Sequence, residues 1–424
     1  MTAAALPPLA RELAHYAALD RRLVAAVRGI RILPTVAWPP ALEQAFLAAG
    51  EGAVGRLPEV HYTPPDLARE RAELDAIENE ADAAHPLGDY LRSTAASWQT
   101  AAAMLEAVGT PAVSAHSMAL YGRPGDAIPG STLSNLDAAR HFVAVADELG
   151  ATRADDDGEA SLSAETLRAE LVPALDALFG AGRIAVEIDP DLTAKAAAGA
   201  TRIRLRASAC FSEYDRHQLL AHEACVHTLT ALNGREQPHL RSLSRTSPRV
   251  TATQEGLAVF AELISGSIDI GRLKRISLRI LAIDRALAGA DFIEVFRFFR
   301  DAGETASDSF NSAQRVFRGV PTTGGAAFAK DNVYLRGLLT VHTFFRWALK
   351  NHRLDLTRAL FAGKLTLGDV VALAPWFDSG FIAPAQFLPP WLRRTRGLAG
   401  NLAFSLFANR IRMAEVDTAD LARG

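Results

Sequence analysis

The residues best suited to chemistry are His222-Glu223-Ala224-Cys225-Val226-His227 and, 28 residues after the second histidine, Glu255 in Gln254-Glu255-Gly256-Leu257-Ala258. Two imidazoles, a carboxylate beside the first and a second carboxylate downstream are the parts of a catalytic zinc site. Three protein ligands hold such an ion and leave one position for water, and the remaining glutamate can take that water's proton. The same residues also fit a plainer arrangement, with His227 a buried histidine whose nitrogens are satisfied and Glu223 a surface charge.

The spacing makes a structural demand. In the common zinc-peptidase motif the histidines are four residues apart, about 40° around a helix. Here the interval is five residues, which a regular α-helix would spread over about 140°, too far to share one ion. An extra residue in the turn, as in a π-bulge, would bring His227 back under His222. Ending the regular helix between them is the other solution. A distorted helix across residues 224–226 is therefore expected. Glu262, seven residues after Glu255 on the same helical face, is placed either to hydrogen-bond a ligand imidazole or to form a plain salt bridge. Cys225 could add a fourth ligand or simply be buried as a small apolar residue. His217 reads as a surface residue.

The elements that must position these groups are mostly helical. Residues 1–150 read as helices separated by proline turns: Leu9, Leu13, Tyr16, Leu19 and Leu23 follow helical spacing until Pro34. A short acidic stretch at 150–160 then reads as a linker or exposed loop. Beyond it, Arg183–Ile188 resembles a strand, and Thr201–Arg206 alternates strictly, with Ile203 and Leu205 on one face and Arg202, Arg204 and Arg206 on the other. Charges on its open face suit an edge strand, which a peptidase needs for aligning an extended substrate. Ser212 with Asp215 offers an N-cap for the helix that carries the histidines, and Asn233-Gly234 a stop. The chain from 271 to 412 is again mainly helical. The expected class is α+β, mainly helical, with a helical N-terminal region over 1–150 and a catalytic domain with a helical C-terminal part over 151–424.

Composition narrows the function classes. The 424 residues carry 45 basic and 48 acidic side chains, a net charge of -3, so no global field draws the chain to nucleic acid or to an anionic membrane. Two cysteines make a disulfide framework an unlikely design, and a reducing, cytoplasmic compartment is expected. No signal peptide and no spanning helix is read. Neither a dinucleotide-binding glycine fingerprint, a phosphate-binding loop nor a nucleophile elbow is present.

The two motifs together resemble the family named for its QEGLA motif (flavohaemoglobin expression-modulating proteins), which is related to the microtubule-associated tyrosine carboxypeptidases. Further blocks resemble it too: Leu120–Pro124, Leu232–Pro238, Arg315–Gly319, Phe328–Tyr334 and Phe387–Pro390. The five-residue histidine interval is also that family's. The resemblance implies a zincin-like metallopeptidase core in which His222, His227 and Glu255 bind Zn2+ and Glu223 is the general base. Its eukaryotic members remove a C-terminal tyrosine from tubulin, so the implied partner is a peptide or protein C-terminal tail.

Such chemistry needs two further groups. A donor must meet the oxygen that gains charge in the tetrahedral intermediate, and Tyr334 is the first candidate, with a core tyrosine as the alternative. A cation must hold the terminal carboxylate, for which Arg318 and Lys330, flanking the Gly/Thr-rich loop at 319–325, lead and Arg315 follows. The basic series Arg235, Arg241, Arg245 and Arg249 could meet an acidic tail or be a solvated loop. A zinc-dependent, carboxypeptidase-like hydrolase is expected. The alternatives are a non-catalytic or regulatory peptide-binding relative, a zinc amidohydrolase acting on another substrate, and a helical scaffold without metal.

Overall fold

The computed structural model describes residues 8–48, 57–152, 162–190, 192 and 195–411. Most of the acidic stretch expected as a linker lies outside them. The structure is mainly helical with one small sheet. The helices that matter for the site are α1 (Pro8–Ala26), α2 (Pro86–Glu106), α3 (Asn135–Thr152), α4 (Ala164–Phe179), α5 (Glu213–Gln218), α6 (Leu229–Arg235), α7 (Thr251–Ser265), α8 (Ile270–Leu287), α9 (Ala306–Val316) and α10 (Val333–Lys350). Residues from both sides of position 150 share one hydrophobic core, reaching from Tyr16 and Leu74 through Leu257 and Phe260 to Leu402. No helix among the described residues is long and apolar enough to cross a membrane.

The sheet has three strands, β1 (Ala185–Asp189), β2 (Ala196–Ala198) and β3 (Arg202–Arg206), in the order β1-β3-β2. β1 runs parallel to β3, and β2 antiparallel to it. Ile203 and Leu205 are buried as their alternation requires. The expectation of a charged edge strand is corrected: the arginine-bearing strand is the central one. Alternation reports which face is covered, not which edge is paired. The charges are met by acids on β1, Arg202 to Glu187 at 3.4 Å and Arg204 to Asp189 at 3.0 Å. The edge next to the histidine helix is the alanine strand β2, which has none of the β-branched or aromatic residues that mark strands.

From Glu213 the chain is helical without a break to Arg235. Ser212 and Asp215 form the expected capping box at its start. The distortion between the histidines is larger than a single bulge: Leu219–Thr228 is a ten-residue π-helix, and the N–H of Leu229 still bonds back five residues to the oxygen of Ala224. The helix ends at Arg235, one residue past the expected stop at Asn233-Gly234. Asn233 is buried and tied by its side chain to Phe361 and Phe387. A Cβ on Gly234 would lie 2.2 Å from the carbonyl oxygen of Leu243. Both residues therefore also serve close contact between segments.

Candidate metal centre and active site

The π-helix closes the interval between the histidines. With i→i+5 bonding, residues five apart lie on one face, and the rings of His222 and His227 stand 4.8 Å apart at 78°. α7 crosses this helix and brings Glu255 to them. Its Oε2 lies 3.5 Å from His222 Nε2 and 3.5 Å from His227 Nε2. One ligating atom from each of the three residues lies within 4.8 Å of the others.

Do these residues fit a zinc ion? Donors bonded at about 2.1 Å in a tetrahedral arrangement are separated by about 3.4 Å, close to the two carboxylate–imidazole distances. Glu255 Oε2 is buried and has no hydrogen-bond partner, an orphaned acceptor of the kind that a protein seldom leaves unless something else occupies it. Two nitrogens and one carboxylate oxygen also match the donor set of a catalytic zinc site. The residues fit.

Glycines and a glutamine of the second motif explain how Glu255 is placed. A Cβ on Gly256 would sit 2.2 Å from the backbone of Gly337, and one on Gly337 would sit 2.3 Å from the oxygen of Ala252. α7 and α10 therefore touch backbone to backbone, which only glycine allows. Gln254 is 1% exposed and accepts a 2.9 Å bond from Thr230 of α6, one turn beyond His227.

Further residues orient the candidate ligands. Glu262 is fully buried and lies 2.6 Å from His222 Nδ1. It also receives Arg272 Nε at 3.2 Å and Nη2 at 3.1 Å, so the hydrogen-bond and salt-bridge alternatives both hold. With its Nδ1 proton committed to Glu262, His222 presents Nε2 to Glu255. Burial alone would lower the pKa of His222, yet Glu255 and Glu262 outweigh it and raise it to about 10. Burial would raise the pKa of Glu255, but Lys330 and the two histidines hold it well below the usual carboxylate range. Such a field favours positive charge.

Glu223 follows His222 in the π-helix, is half-buried, and makes no hydrogen bond or ion pair among the described residues. Tyr334 starts α10, and its ring centre is 5.4 Å from Lys330 Nζ. Lys330 itself donates to Glu255 Oε1 at 3.3 Å. Arg315, on α9, grips Asp331 with two bonds of 2.5 and 2.6 Å. Arg318 lies near the same acid, and its buried Nε has no partner. Of the three cations expected at a terminal carboxylate, two already have acidic partners.

Cys225 is buried, stays outside the triad, and burial pushes its thiol up to about 12. His217 is exposed. In the basic series, Arg249 is committed to Asp369 at 2.8 and 2.9 Å, while Arg235 and Arg245 are exposed. One residue of the site escaped sequence reasoning altogether. Lys364, only 7% exposed, has its pKa lowered to about 8 by burial, with Glu255 and Glu223 acting against that shift. A single lysine between Gly363 and Leu365 carries no spacing signal that could have singled it out.

A model of the family described as microtubule-associated tyrosine carboxypeptidase matches residues 44–410. No curated protein matches the chain. A solved structure described as a lipoprotein from Colwellia psychrerythraea is similar over 87% of this chain and 75% of that one, at 15% identity and a TM-score of 0.44.

Proposed function

This chain belongs to the microtubule-associated tyrosine carboxypeptidase family, and we propose that it is a zinc-dependent carboxypeptidase acting on the C-terminal tails of peptides or proteins, with a zincin-like core. His222, His227 and Glu255 would hold the metal. The observation that carries this reading is the convergence of their three ligating atoms around the orphaned Oε2 of Glu255.

Zinc held there supplies Lewis acidity, which lowers the pKa of an attacking water and polarises the scissile carbonyl. Glu223 is the group that receives the water's proton on its carboxylate and passes it to the departing amine. It has no hydrogen bond or ion pair among the described residues, which keeps it available for both transfers. Glu262 holds His222 in one tautomer, and Lys330 fixes the Glu255 carboxylate from the other oxygen. Tyr334 is the proposed donor to the oxygen that gains charge as the carbonyl is attacked, a contribution worth about 3–4 kcal/mol in well-aligned sites. Lys330 and Arg315 already have acidic partners, Glu255 and Asp331, which leaves neither of them free for a terminal carboxylate.

The test is direct. Protein purified without chelator is expected to carry close to one zinc per chain and to cleave peptides with free C-termini in preference to amidated ones. Glu223→Gln is expected to keep the metal and lose turnover. Undiminished cleavage by that variant, or protein without zinc that still cleaves, would overturn the mechanism. Equal cleavage of free and amidated peptides would remove the carboxypeptidase half.

A further inference from the structure

A cavity of about 330 Å³ shares His227 with the triad. Ala198, Gly199 and Ala200 at the end of β2 line it, together with Arg235, Arg245 and Lys364, and no acidic residue does. Its volume is that of a small-ligand site. Arg235 and Arg245 are exposed, but Lys364 is not.

The burial of Lys364 needs an explanation. Its ammonium makes no hydrogen bond and no ion pair among the described residues, although the side chain is 7% exposed. Its Nζ is not among the fully buried polar atoms that lack a partner, so the stem is covered while the ammonium keeps access to solvent, and the fold holds it firmly. Its backbone N–H donates to the oxygen of Leu243 at 2.7 Å. A Cβ on the preceding Gly363 would come within 2.9 Å of that oxygen, so the glycine is what lets the two segments dock. A cation delivered in this way to an acid-free cavity beside a candidate metal ligand is built to meet an anion.

We propose that Lys364 receives the substrate's terminal carboxylate in the cavity it shares with His227. This rests on the carboxypeptidase reading above and specifies how that site recognises a chain end. Lys364 is better placed for the task than Arg318. Lys364 lines the cavity together with His227, whereas Arg318 does not line it and lies near Asp331. Arg235 and Arg245 add positive charge to the same cavity and have no acidic partner among the described residues.

The experiment uses zinc-loaded Glu223→Gln protein, in which binding is separable from turnover. It is titrated calorimetrically with acetylated tripeptides ending in Ala, Glu or Tyr, each as free acid and as amide. With Lys364 present, the acid is expected to bind at least tenfold more tightly than the amide, as a charge-assisted hydrogen bond implies. Lys364→Met is expected to bring that ratio close to one, Lys364→Arg to restore part of it, and Arg318→Leu to leave it unchanged. A ratio that persists in Lys364→Met, or that collapses in Arg318→Leu instead, overturns the proposal. So does an equal loss for acid and amide, which marks a structural role. Turnover by the parent protein is scored separately. A Lys364-dependent ratio without turnover retains this proposal and rejects the peptidase, turnover with an indifferent ratio does the reverse, and failure of every tripeptide to bind rejects both.

Discussion

Glu262 lies 2.6 Å from His222 Nδ1 and 3.1 Å from Arg272 Nη2, so one buried carboxylate fixes a candidate ligand on one side and is itself fixed by a guanidinium on the other. An imidazole held in this way presents a single nitrogen to a metal and loses little freedom on binding it. Glu262→Gln keeps the shape and removes the charge. Zinc affinity is expected to fall about 10–100-fold, as read by competition with a chromogenic chelator, while the circular dichroism spectrum stays the same. Unchanged affinity would count against an orienting role.

The contact between α7 and α10 makes a second prediction. Gly256→Ala places a methyl group 2.2 Å from the Gly337 backbone, and no flexible side chain is there to yield. The helices must separate, at a cost on the order of 1–3 kcal/mol. Because Glu255 is the adjacent residue, zinc affinity is expected to fall with the melting temperature. A normal melting temperature would show that the crossing is looser than the structure has it.

Asp331 is 5% exposed and is the acid shared by Arg315 and Arg279, the latter at 3.7 Å. Burial works against its charge, but the two arginines outweigh burial and hold its carboxyl below the usual carboxylate range. A carboxyl whose folded pKa is depressed contributes its full stability above its unfolded pKa of about 4 and loses it as the pH falls further. Asp331→Asn leaves the arginines uncompensated and is expected to cost about 3–5 kcal/mol at neutral pH. Denaturant titrations should show the gap between parent and variant narrowing from about pH 5 downward. A gap independent of pH would refute this assignment.

Asp20 behaves in the opposite sense. It is fully buried on α1, accepts the N–H groups of Arg241 and Ser242, and burial raises its pKa to about 6. In this case the folded state binds the proton more tightly than the unfolded state. Stability from this group is therefore present below the unfolded pKa and declines as the pH rises through about 6, by up to about 3 kcal/mol. Asp20→Asn mimics the protonated form. Its advantage over the parent chain should grow between about pH 4 and 6 and be constant above, as measured by urea midpoints. A variant less stable than the parent at neutral pH would show that the carboxylate's bonds matter more than its burial.

Much of the site could be read before any coordinates. The five-residue histidine interval required a widened helix because angular spacing is a property of the chain alone, and a π-helix spans it. Ser212 and Asp215 announced their cap, and Ile203 and Leu205 their buried face, for the same reason. Where local pattern misled, a distant contact was responsible. The arginines of β3 looked like an edge because their acids lie on another strand, and β2 is built from alanines that carry no strand signal.

From the linear chain alone came the candidate donor set and the distortion needed to gather it, since both follow from residue type and short-range spacing. Folding in three dimensions decided which charges are neutralised and which are left free. Lys330 meets Glu255, Arg315 meets Asp331 and the Lys364 ammonium has no ion pair among the described residues, and none of that is visible along the sequence. Each outcome depends on how segments far apart in sequence dock, and docking is set by shape and burial rather than by periodicity.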